Sequence, residues 1–453
     1  MYISYLARLS AVLIISLMGC SSARDATLSE PRPKGNAYPT YIPPIKTSMD
    51  EPSVATMAVI DSTLSLGDVL ARSLLLNPSL RSFAWEIRAR EARILQAKLP
   101  PNPEIGGEVE NFNGTGELGG FDSAEVTFGL SQLVEIGGDR QMRQRVASHE
   151  KDLAEWDYEM VKLDVLTETT QAFVAVLAAQ ERLRLSDTLR GQADRFYETV
   201  LARIDAGKVS ALEEKKARVV LTTARLDYAA AIRELMRTRS RLAATWGSTE
   251  VPSFRGVQGD LYVIKDVTGL EAISGLIDRN PDVARWRDEM ALRRAEVSLE
   301  EAARIPDPIV GIGTRRLRDL GANALTASIS IPLPLFNRNQ GVVKEAQYRI
   351  EKTQEAQRAA TVLAHHMLTD AYQQLSMAYE ETQALRDEIL PAARESFEAM
   401  QEGYREGKFD LLMVLDAQRT FFEATNRYID ALETYHLTRS EVERLIGTPL
   451  SDI

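Results

Sequence analysis

The sequence predicts a mainly α-helical chain with a membrane β component, built as one plan that occurs twice. Three observations predict this fold class. Short motifs recur in the same order about 200 residues apart, no proline occurs between residues 139 and 205, and four segments of about ten residues have strand-like character. A long stretch without proline is typical of a long helix. The hydrophobic content of 44% and the charged content of 26% are those of a folded protein.

Residues 1–19 are predicted to form a signal peptide, because Arg8 precedes a short apolar run, 11–18, that cannot span a bilayer. Cys20, the only cysteine, follows directly, and the run Leu17-Met18-Gly19-Cys20 resembles the lipobox of bacterial lipoproteins. That resemblance implies that Cys20 is diacylated and becomes the mature N-terminus. The alternative is an unlipidated signal with a chance cysteine. Residues 20–62 are rich in proline and lack a periodic apolar face, which indicates a lipidated arm or linker.

Four pairs of motifs define the duplication. They are Asn77-Pro78 with Asn280-Pro281, Pro101-Asn102-Pro103 with Pro306-Asp307-Pro308, Gly207-Lys208 with Gly407-Lys408, and Tyr228 with Tyr428. Their order predicts a first repeat over residues 63–250, a connector over 251–267 and a second repeat over 268–450. Each repeat is expected to contain a first helix, a β-hairpin, a very long helix and a return helix.

In the first repeat we expect helix 65–99 with a break at Asn77-Pro78, strands 103–112 and 123–133, a long helix 139–205 and a return helix 209–246. The second repeat has strands 307–316 and 324–334 and a long helix 341–406. Kinks are expected in both long helices, at the matched positions Gly191 and Pro391. At about 1.5 Å per residue the first long helix measures roughly 100 Å, which the first and return helices together also reach. These lengths predict a tall helical tube.

The predicted strands indicate how the chain meets a membrane. No apolar run of 18 residues follows the signal, so no spanning helix is predicted, whereas ten residues suffice for a tilted membrane strand. Four strands cannot close a barrel, and open strand edges are not tolerated in lipid. Three copies would supply twelve strands, so the sequence predicts a homotrimeric β-barrel. The alternative is a soluble periplasmic protein with two ordinary hairpins.

Composition and motifs argue against several classes of function. The net charge of −11 offers no basic excess for nucleic acid, and one cysteine cannot form an internal disulfide or a cysteine-based zinc site. Phosphate-loop, nucleophile-elbow and zinc-protease motifs are absent from the sequence, so neither an enzyme nor a cofactor is predicted. His365 and His366 are adjacent on a helix and point about 100° apart, so they cannot chelate one ion. No metal site is predicted.

The duplicated plan, the long helices, the hairpins, Asn77-Pro78 and the two Gly-Lys turns resemble the TolC-type outer-membrane efflux proteins. Residues 133–140, with Gly137-Gly138 before Asp139-Arg140, resemble the heavy-metal subgroup, which serves cation-exporting pumps of the resistance–nodulation–division type. The resemblance implies a homotrimer with a twelve-stranded β-barrel in the outer membrane and an α-helical barrel of twelve long helices in the periplasm. It also implies a periplasmic adaptor protein as partner and, through it, an inner-membrane pump.

The resemblance predicts a non-catalytic exit duct for heavy-metal cations, held in the outer membrane by its strands and by lipid on Cys20. Two alternatives remain open at this point. One is a drug-efflux or type I secretion channel of the same family. The other, from a different class, is a non-conducting periplasmic coiled-coil scaffold tethered by lipid.

The resemblance also assigns roles at the two helix turns. Residues at the turns are predicted to contact the adaptor: Ala206, Gly207, Lys208, Val209, Glu406, Gly407, Lys408 and Phe409. Tyr404, Glu213, Asp416 and Asp410 are the predicted gate residues. Two departures from the family pattern weaken a shared gate mechanism, because Met413 occupies one acidic-ring position and Phe409 replaces a tip arginine. Asp410 has a second interpretation as the N-cap of the return helix.

Overall fold

The structure, a computed structural model, describes residues 39–43, 63–250, 252 and 254–450. The predicted signal peptide, Cys20 and most of the arm lie outside the described residues. The first half begins with a short strand, β1 (Thr63–Ser65). The elements that follow are α1 (Leu66–Leu76), α2 (Pro78–Ala97), β2 (Glu104–Glu110), β3 (Glu125–Leu133), α3 (Asp139–Asp205) and α4 (Ala211–Ala244).

The second half has the same order with more interruptions. A short strand, β4 (Gly256–Gln258), lies in the predicted connector. The elements that follow are α5 (Leu270–Ser274), α6 (Pro281–Ala284), α7 (Trp286–Ala302), β5 (Ile309–Leu317), β6 (Ala322–Ser330), α8 (Gln340–Ala384), α9 (Leu390–Arg405) and α10 (Leu411–Ile446). The prediction of a mainly helical chain is confirmed. No helix among the described residues is both long and apolar enough to cross a membrane.

The two long helices differ at the positions where kinks were predicted. The α3 helix runs through Gly191 as one α-helix of 67 residues, roughly 100 Å long. Between α8 and α9 the helix takes a π turn, Leu385–Ile389, directly before Pro391. Proline has no N–H to donate to the preceding turn, and a π turn accommodates the missing bond. The α-helical hydrogen bonding is therefore interrupted before Pro391 and continuous through Gly191, where a kink stays a prediction.

The four longer strands form one antiparallel sheet in the order β2-β3-β5-β6. The central pairing joins the two hairpins, with Gly129 opposite Gly313. A side chain at Gly313 would come within 2.6 Å of the Phe128 carbonyl oxygen, so the close strand approach needs glycine there. Both repeats thus contribute to a single sheet, as the sequence predicts.

The register divides the sheet into two chemically different faces. Because side chains alternate along a strand, partners in register share a face. Large exposed apolar side chains lie together on one face: Ile105, Phe128, Leu130, Ile312, Leu325 and Ile329. The other face carries polar and small residues: Glu108, Thr127, Gly129, Ser131, Gly313, Arg315 and Thr326.

The largest buried cluster lies at mid-length of the long helix α3, where α1 and the return helices α4 and α10 pack against it. Fully buried side chains from several elements pack there, among them Val69, Val176, Leu242 and Leu432. Beside this core β1 pairs with β4 in parallel, Leu64 opposite Val257. No pattern in the sequence predicts this pair.

Two asparagines join the ends of each repeat. The Asn77 Oδ1 accepts a bond from the Leu80 N–H (2.9 Å) and caps α2, while its Nδ2 donates to the Thr245 carbonyl just after α4 (2.8 Å). Asn280 caps α6 and donates to two carbonyls near the end of α10 (2.7 and 2.9 Å). Both side chains are buried, so these bonds satisfy groups that water cannot reach. The repeated Asn-Pro motif therefore fastens the start of each repeat to its end.

Candidate functional site at the helix turns

Each long helix ends in the same backbone turn. Gly207 has φ +67° and Gly407 has φ +78°, a left-handed conformation that favours glycine. In both turns the amide after the glycine donates to the carbonyl five residues earlier, as in the pairs Lys208–Arg203 (2.9 Å) and Lys408–Gly403 (2.8 Å). This helix end, closed by two backbone hydrogen bonds, lets the chain reverse over the five residues 206–210 in the first turn and 406–410 in the second.

The return helices begin with side-chain caps. The Ser210 hydroxyl accepts a bond from the Leu212 N–H (3.2 Å), and the Asp410 carboxylate accepts one from the Met413 N–H (3.0 Å). Asp410 is therefore an N-cap in this structure, the second interpretation named for it above. Its predicted part in a gate stays a prediction.

The second turn is aromatic. The Phe409 ring lies against Gly403, where a Cβ would come within 2.2 Å of the ring. Tyr404 packs into a small buried cluster with Phe397, Leu411 and Val414. Gly403 thus provides a notch for the Phe409 ring.

Tyr404 also contacts the helical hairpin of the first repeat, which consists of α3 and α4. Its ring centroid lies 6.1 Å from that of Phe196, and the Arg203 guanidinium lies over it at 4.4 Å, both from α3. The hydroxyl of Tyr404 and Oε2 of Glu213 are buried and are not hydrogen-bonded to each other. Burial raises the pKa of Tyr404, and the carboxylate of Glu213 adds to that rise, whereas Arg203 lowers it by its positive charge and by its interaction with the hydroxyl. The structure thus brings Tyr404 and Glu213 to one place.

Arg203 was not among the residues predicted from the sequence. It occupies the position that Gly403 has in the other repeat, and no local pattern marks it. The only available signal was a basic residue in the last turn of a long helix, which is a common feature because it complements the helix dipole.

Asp416 lies apart from this cluster. Its exposed carboxylate pairs with Arg419 at 2.9 Å, one turn along α10. Because the pair is exposed, it contributes little to stability. The neighbouring Met413 is partly exposed.

The predicted adaptor-contact residues lie on the surface of the two turns. Seven are exposed and Val209 is half-buried. The two turns differ in charge. Lys408 pairs with Glu406 at 2.5 Å in the second turn, whereas the first turn has Ala206 at the position of Glu406. No group of three or more histidine, cysteine, aspartate or glutamate residues within the described ranges could hold a metal ion.

The motif at 133–140 builds the passage from strand to long helix. Gly138 takes φ +84° just before α3, and a Cβ at Gly137 would lie 2.9 Å from the Ala302 carbonyl oxygen. The Ile136 N–H donates to the Asp307 carboxylate at 2.8 Å. Burial raises the pKa of Asp139, the first residue of the helix, and the nearby Asp307 adds to that rise. The two glycines therefore permit a tight corner between strand β3 and helix α3.

Comparison with known sequences identifies this architecture. The sequence profile of the family "Outer membrane efflux protein" matches residues 69–248 and 272–448. The chain belongs to the outer membrane efflux protein family. Members of this family are channels and transport proteins, and the predicted resemblance is confirmed.

Relatives support the heavy-metal subgroup. The cobalt-zinc-cadmium resistance protein CzcC of Cupriavidus metallidurans is 32% identical over 371 residues, which are 82% of this chain and 87% of CzcC. The nickel-cobalt-cadmium resistance protein NccC of Alcaligenes xylosoxydans is 25% identical over 63% of this chain and 64% of its own length. The fold is similar to the crystal structure of the channel CusC, with a TM-score of 0.71 and 17% identity over 91% of this chain and 99% of CusC.

Proposed function

We propose that this protein is the outer-membrane exit duct of a tripartite efflux system of the resistance–nodulation–division type, and that it exports heavy-metal cations. The observation that carries the proposal is the two-faced sheet placed at the end of helices roughly 100 Å long. One face offers apolar side chains to lipid and the other offers polar side chains to water, as a membrane strand requires. The helices give the reach to cross a periplasmic space.

The open ends of the sheet support a homotrimer. Within the described chain β2 and β6 are edge strands, each with one row of unpaired backbone groups. Backbone groups in lipid must be paired, so β6 of one copy would bond β2 of the next. Three copies close twelve strands into a β-barrel and bring twelve long helical segments into an α-helical barrel below it.

The similarity to cobalt-zinc-cadmium and nickel-cobalt-cadmium resistance proteins supports metal cations as the exported cargo. The duct needs no resident metal for this role, because selectivity can lie in the pump. A drug-efflux or type I secretion channel remains the alternative within the family. The exposed helix turns are the surface that we assign to the periplasmic adaptor, and through it to the inner-membrane pump. No catalytic step is assigned to the chain.

The outer membrane is the proposed location, with a long periplasmic extension and, on the sequence argument, a lipid anchor at Cys20. A Cys20→Ala variant should lose acyl label and keep its trimer if the strands alone hold the protein in the membrane.

Gene deletion with measurement of survival across metals, dyes and antibiotics tests the proposed cargo. We expect a loss of tolerance to cobalt, zinc or cadmium that the plasmid-borne gene restores. Unchanged metal tolerance with lost dye or antibiotic tolerance would support the drug-efflux alternative instead.

A pair of neighbouring substitutions tests the barrel and the duct. Leu325 is exposed on the apolar face, and Ala324 lies on the opposite face beside Arg315. Leu325→Asp should abolish the membrane-inserted trimer, because a charge on the lipid face is costly. The matched variant Ala324→Asp should leave it intact. Equal behaviour of the two variants, or a wild-type protein that never conducts in a planar bilayer, would favour the periplasmic scaffold.

A further inference from the structure

We infer that Arg203 is a positioning residue of the closed duct: it holds the two helical hairpins of one protomer together at their turns by stacking on the ring of Tyr404. The inference rests on the proposed duct function and adds the residue that restrains its inner end. It is carried by a contact between hairpins that belong to different repeats.

The geometry favours the ring of Tyr404 as the point of attachment. The Arg203 guanidinium lies 4.4 Å from the ring centroid, well inside the distance at which a cation is attracted by an aromatic face. Phe196, seven residues earlier on α3, contacts the same ring. Two side chains of the first repeat thus hold one side chain of the second.

The hydroxyl of Tyr404 forms no hydrogen bond with Oε2 of Glu213, and both atoms are buried. Arg203 acts on this hydroxyl as well as on the ring, because it also lowers the pKa of Tyr404. A restraint that worked through a hydroxyl–carboxylate bond would pair these two atoms. Here the carboxylate contributes its charge to the surroundings of Tyr404, and the ring makes the contact between hairpins.

The two repeats are complementary at these positions. Arg203 and Ile204 of the first repeat correspond to Gly403 and Tyr404 of the second. Because Gly403 has no side chain, the Phe409 ring packs against it and holds the second turn against the last turn of α9. Arg203, from the neighbouring helical hairpin, stacks on the ring of Tyr404.

The chain contains a matched control for this contact. The Arg190 guanidinium lies 4.3 Å from the ring centroid of Tyr228, a geometry almost equal to that of Arg203 and Tyr404. Arg190 and Tyr228 belong to α3 and α4, the two helices of one hairpin. Losing that pair weakens a hairpin internally, whereas losing the Arg203 contact separates one hairpin from the other.

The test measures single-channel conductance and open probability of purified full-length trimers in planar bilayers. We expect Arg203→Ala to raise the open-to-closed ratio about fivefold, the size expected for one partly buried cation–π pair. Tyr404→Leu should raise it at least as much, because it also removes the ring contact with Phe196. The double variant should be no more open than Tyr404→Leu, because that variant already lacks the ring on which Arg203 stacks. Tyr404→Phe should stay close to wild type and well below Tyr404→Leu, since it keeps the ring. Arg190→Ala should match wild type.

Three outcomes would overturn the inference. They are an unchanged open probability in Arg203→Ala, opening by Tyr404→Phe equal to that of Tyr404→Leu, and opening by Arg190→Ala equal to that of Arg203→Ala. Each of these outcomes is measured on a channel that conducts, so none of them contradicts the proposed duct function. Absence of conductance in wild type and in every variant would instead overturn the duct itself, and the inference with it.

Discussion

At the first helix turn Gly207 ends the long helix and Ser210 begins the next, and at the second turn Gly407 and Asp410 do the same. Side chains around the two turns have different chemistry. At the first turn the Tyr197 hydroxyl donates to Glu214 (3.3 Å), which also pairs with Arg218. At the second turn the corresponding residues are Phe397 and Val414, which are buried together.

The difference shows which part of the duplicated plan is fixed and which part is free to diverge. The backbone of the turn depends on a left-handed glycine and a capping side chain, and both repeats keep these. The packing around the turn depends on what each hairpin touches, and here the repeats have separated into a polar turn and an aromatic one. Arg203 and Tyr404 lie where these two surfaces meet.

The largest expected effect concerns the shared asparagines. Asn77→Ala and Asn280→Ala should each lower local stability by about 2–3 kcal/mol, because each removes a helix cap and leaves buried carbonyls without a donor. Asn77→Asp keeps the cap acceptor but places a carboxylate oxygen against the Thr245 carbonyl in a buried site, so it should cost at least as much as Asn77→Ala. Hydrogen exchange at the ends of α4 and α10 measures the effect. A response in only one half would contradict an equal role in the two repeats.

Next in size are the glycines of the turns. Gly207→Val and Gly407→Val should each cost about 1–2 kcal/mol, because a branched side chain is strained at positive φ. The costs should be similar, since the two backbones are alike. Gly341→Ala, in the first turn of α8 with open space around it, is the control and should be neutral or slightly stabilising. A clear difference between the two turns in thermal unfolding of the trimer would count against a shared backbone design.

A smaller effect should appear at the second turn alone. Gly403→Ala should cost about 1 kcal/mol, because its Cβ collides with the Phe409 ring and drives the ring out of its notch. Hydrogen exchange should rise over residues 400–410 and stay unchanged over 200–210. In a Phe409→Ala background, which has no ring to displace, adding Gly403→Ala should cost little stability. Faster exchange at both turns would mean that the notch is not specific to the second repeat.

The smallest expected effect is a dependence on pH in the second repeat. Burial lowers the pKa of His436 below 6.5, against a hydrogen bond to the Leu261 carbonyl that raises it. Because the unfolded chain binds the proton more readily, stability should fall as pH drops below about 6.5, by at most ~1.4 kcal/mol per pH unit. His436→Gln should remove this slope, and the control His366→Gln, an exposed position, should retain it. The first repeat has Met236 at the matching position, so its stability should not depend on pH through this site.

Much of the fold follows from local patterns. The helix 139–205 was predicted with the bounds it has in the structure, because Gly138 and Gly207 mark its ends. Strand β6 was predicted over 324–334 and is found at Ala322–Ser330, since Pro332 lacks the N–H that a sheet interior needs. The pairing of β1 with β4 was missed, because three residues carry no periodicity and their partners lie about 190 residues away.

The site was predictable only in part. The turns and the cap at Asp410 follow from glycine and aspartate in short-range patterns. The stacking of Arg203 on Tyr404 depends on how two hairpins from different repeats lie beside each other, and no spacing within either repeat encodes that. The same dependence applies to the notch at Gly403, which becomes visible only when Phe409 is placed against it.

The meeting of the ends of each repeat bears on how such a chain could have arisen. Leu64, at the start of the first repeat, pairs with Val257 of the connector, and Asn77 holds the carbonyl of Thr245. A unit that begins and ends at one place can be copied in tandem at the gene level, because a short connecting segment suffices to lead from one copy into the next. Neither copy has to be rearranged to admit the other. The side chains of the two copies could then diverge while the joints that fasten each copy stayed the same.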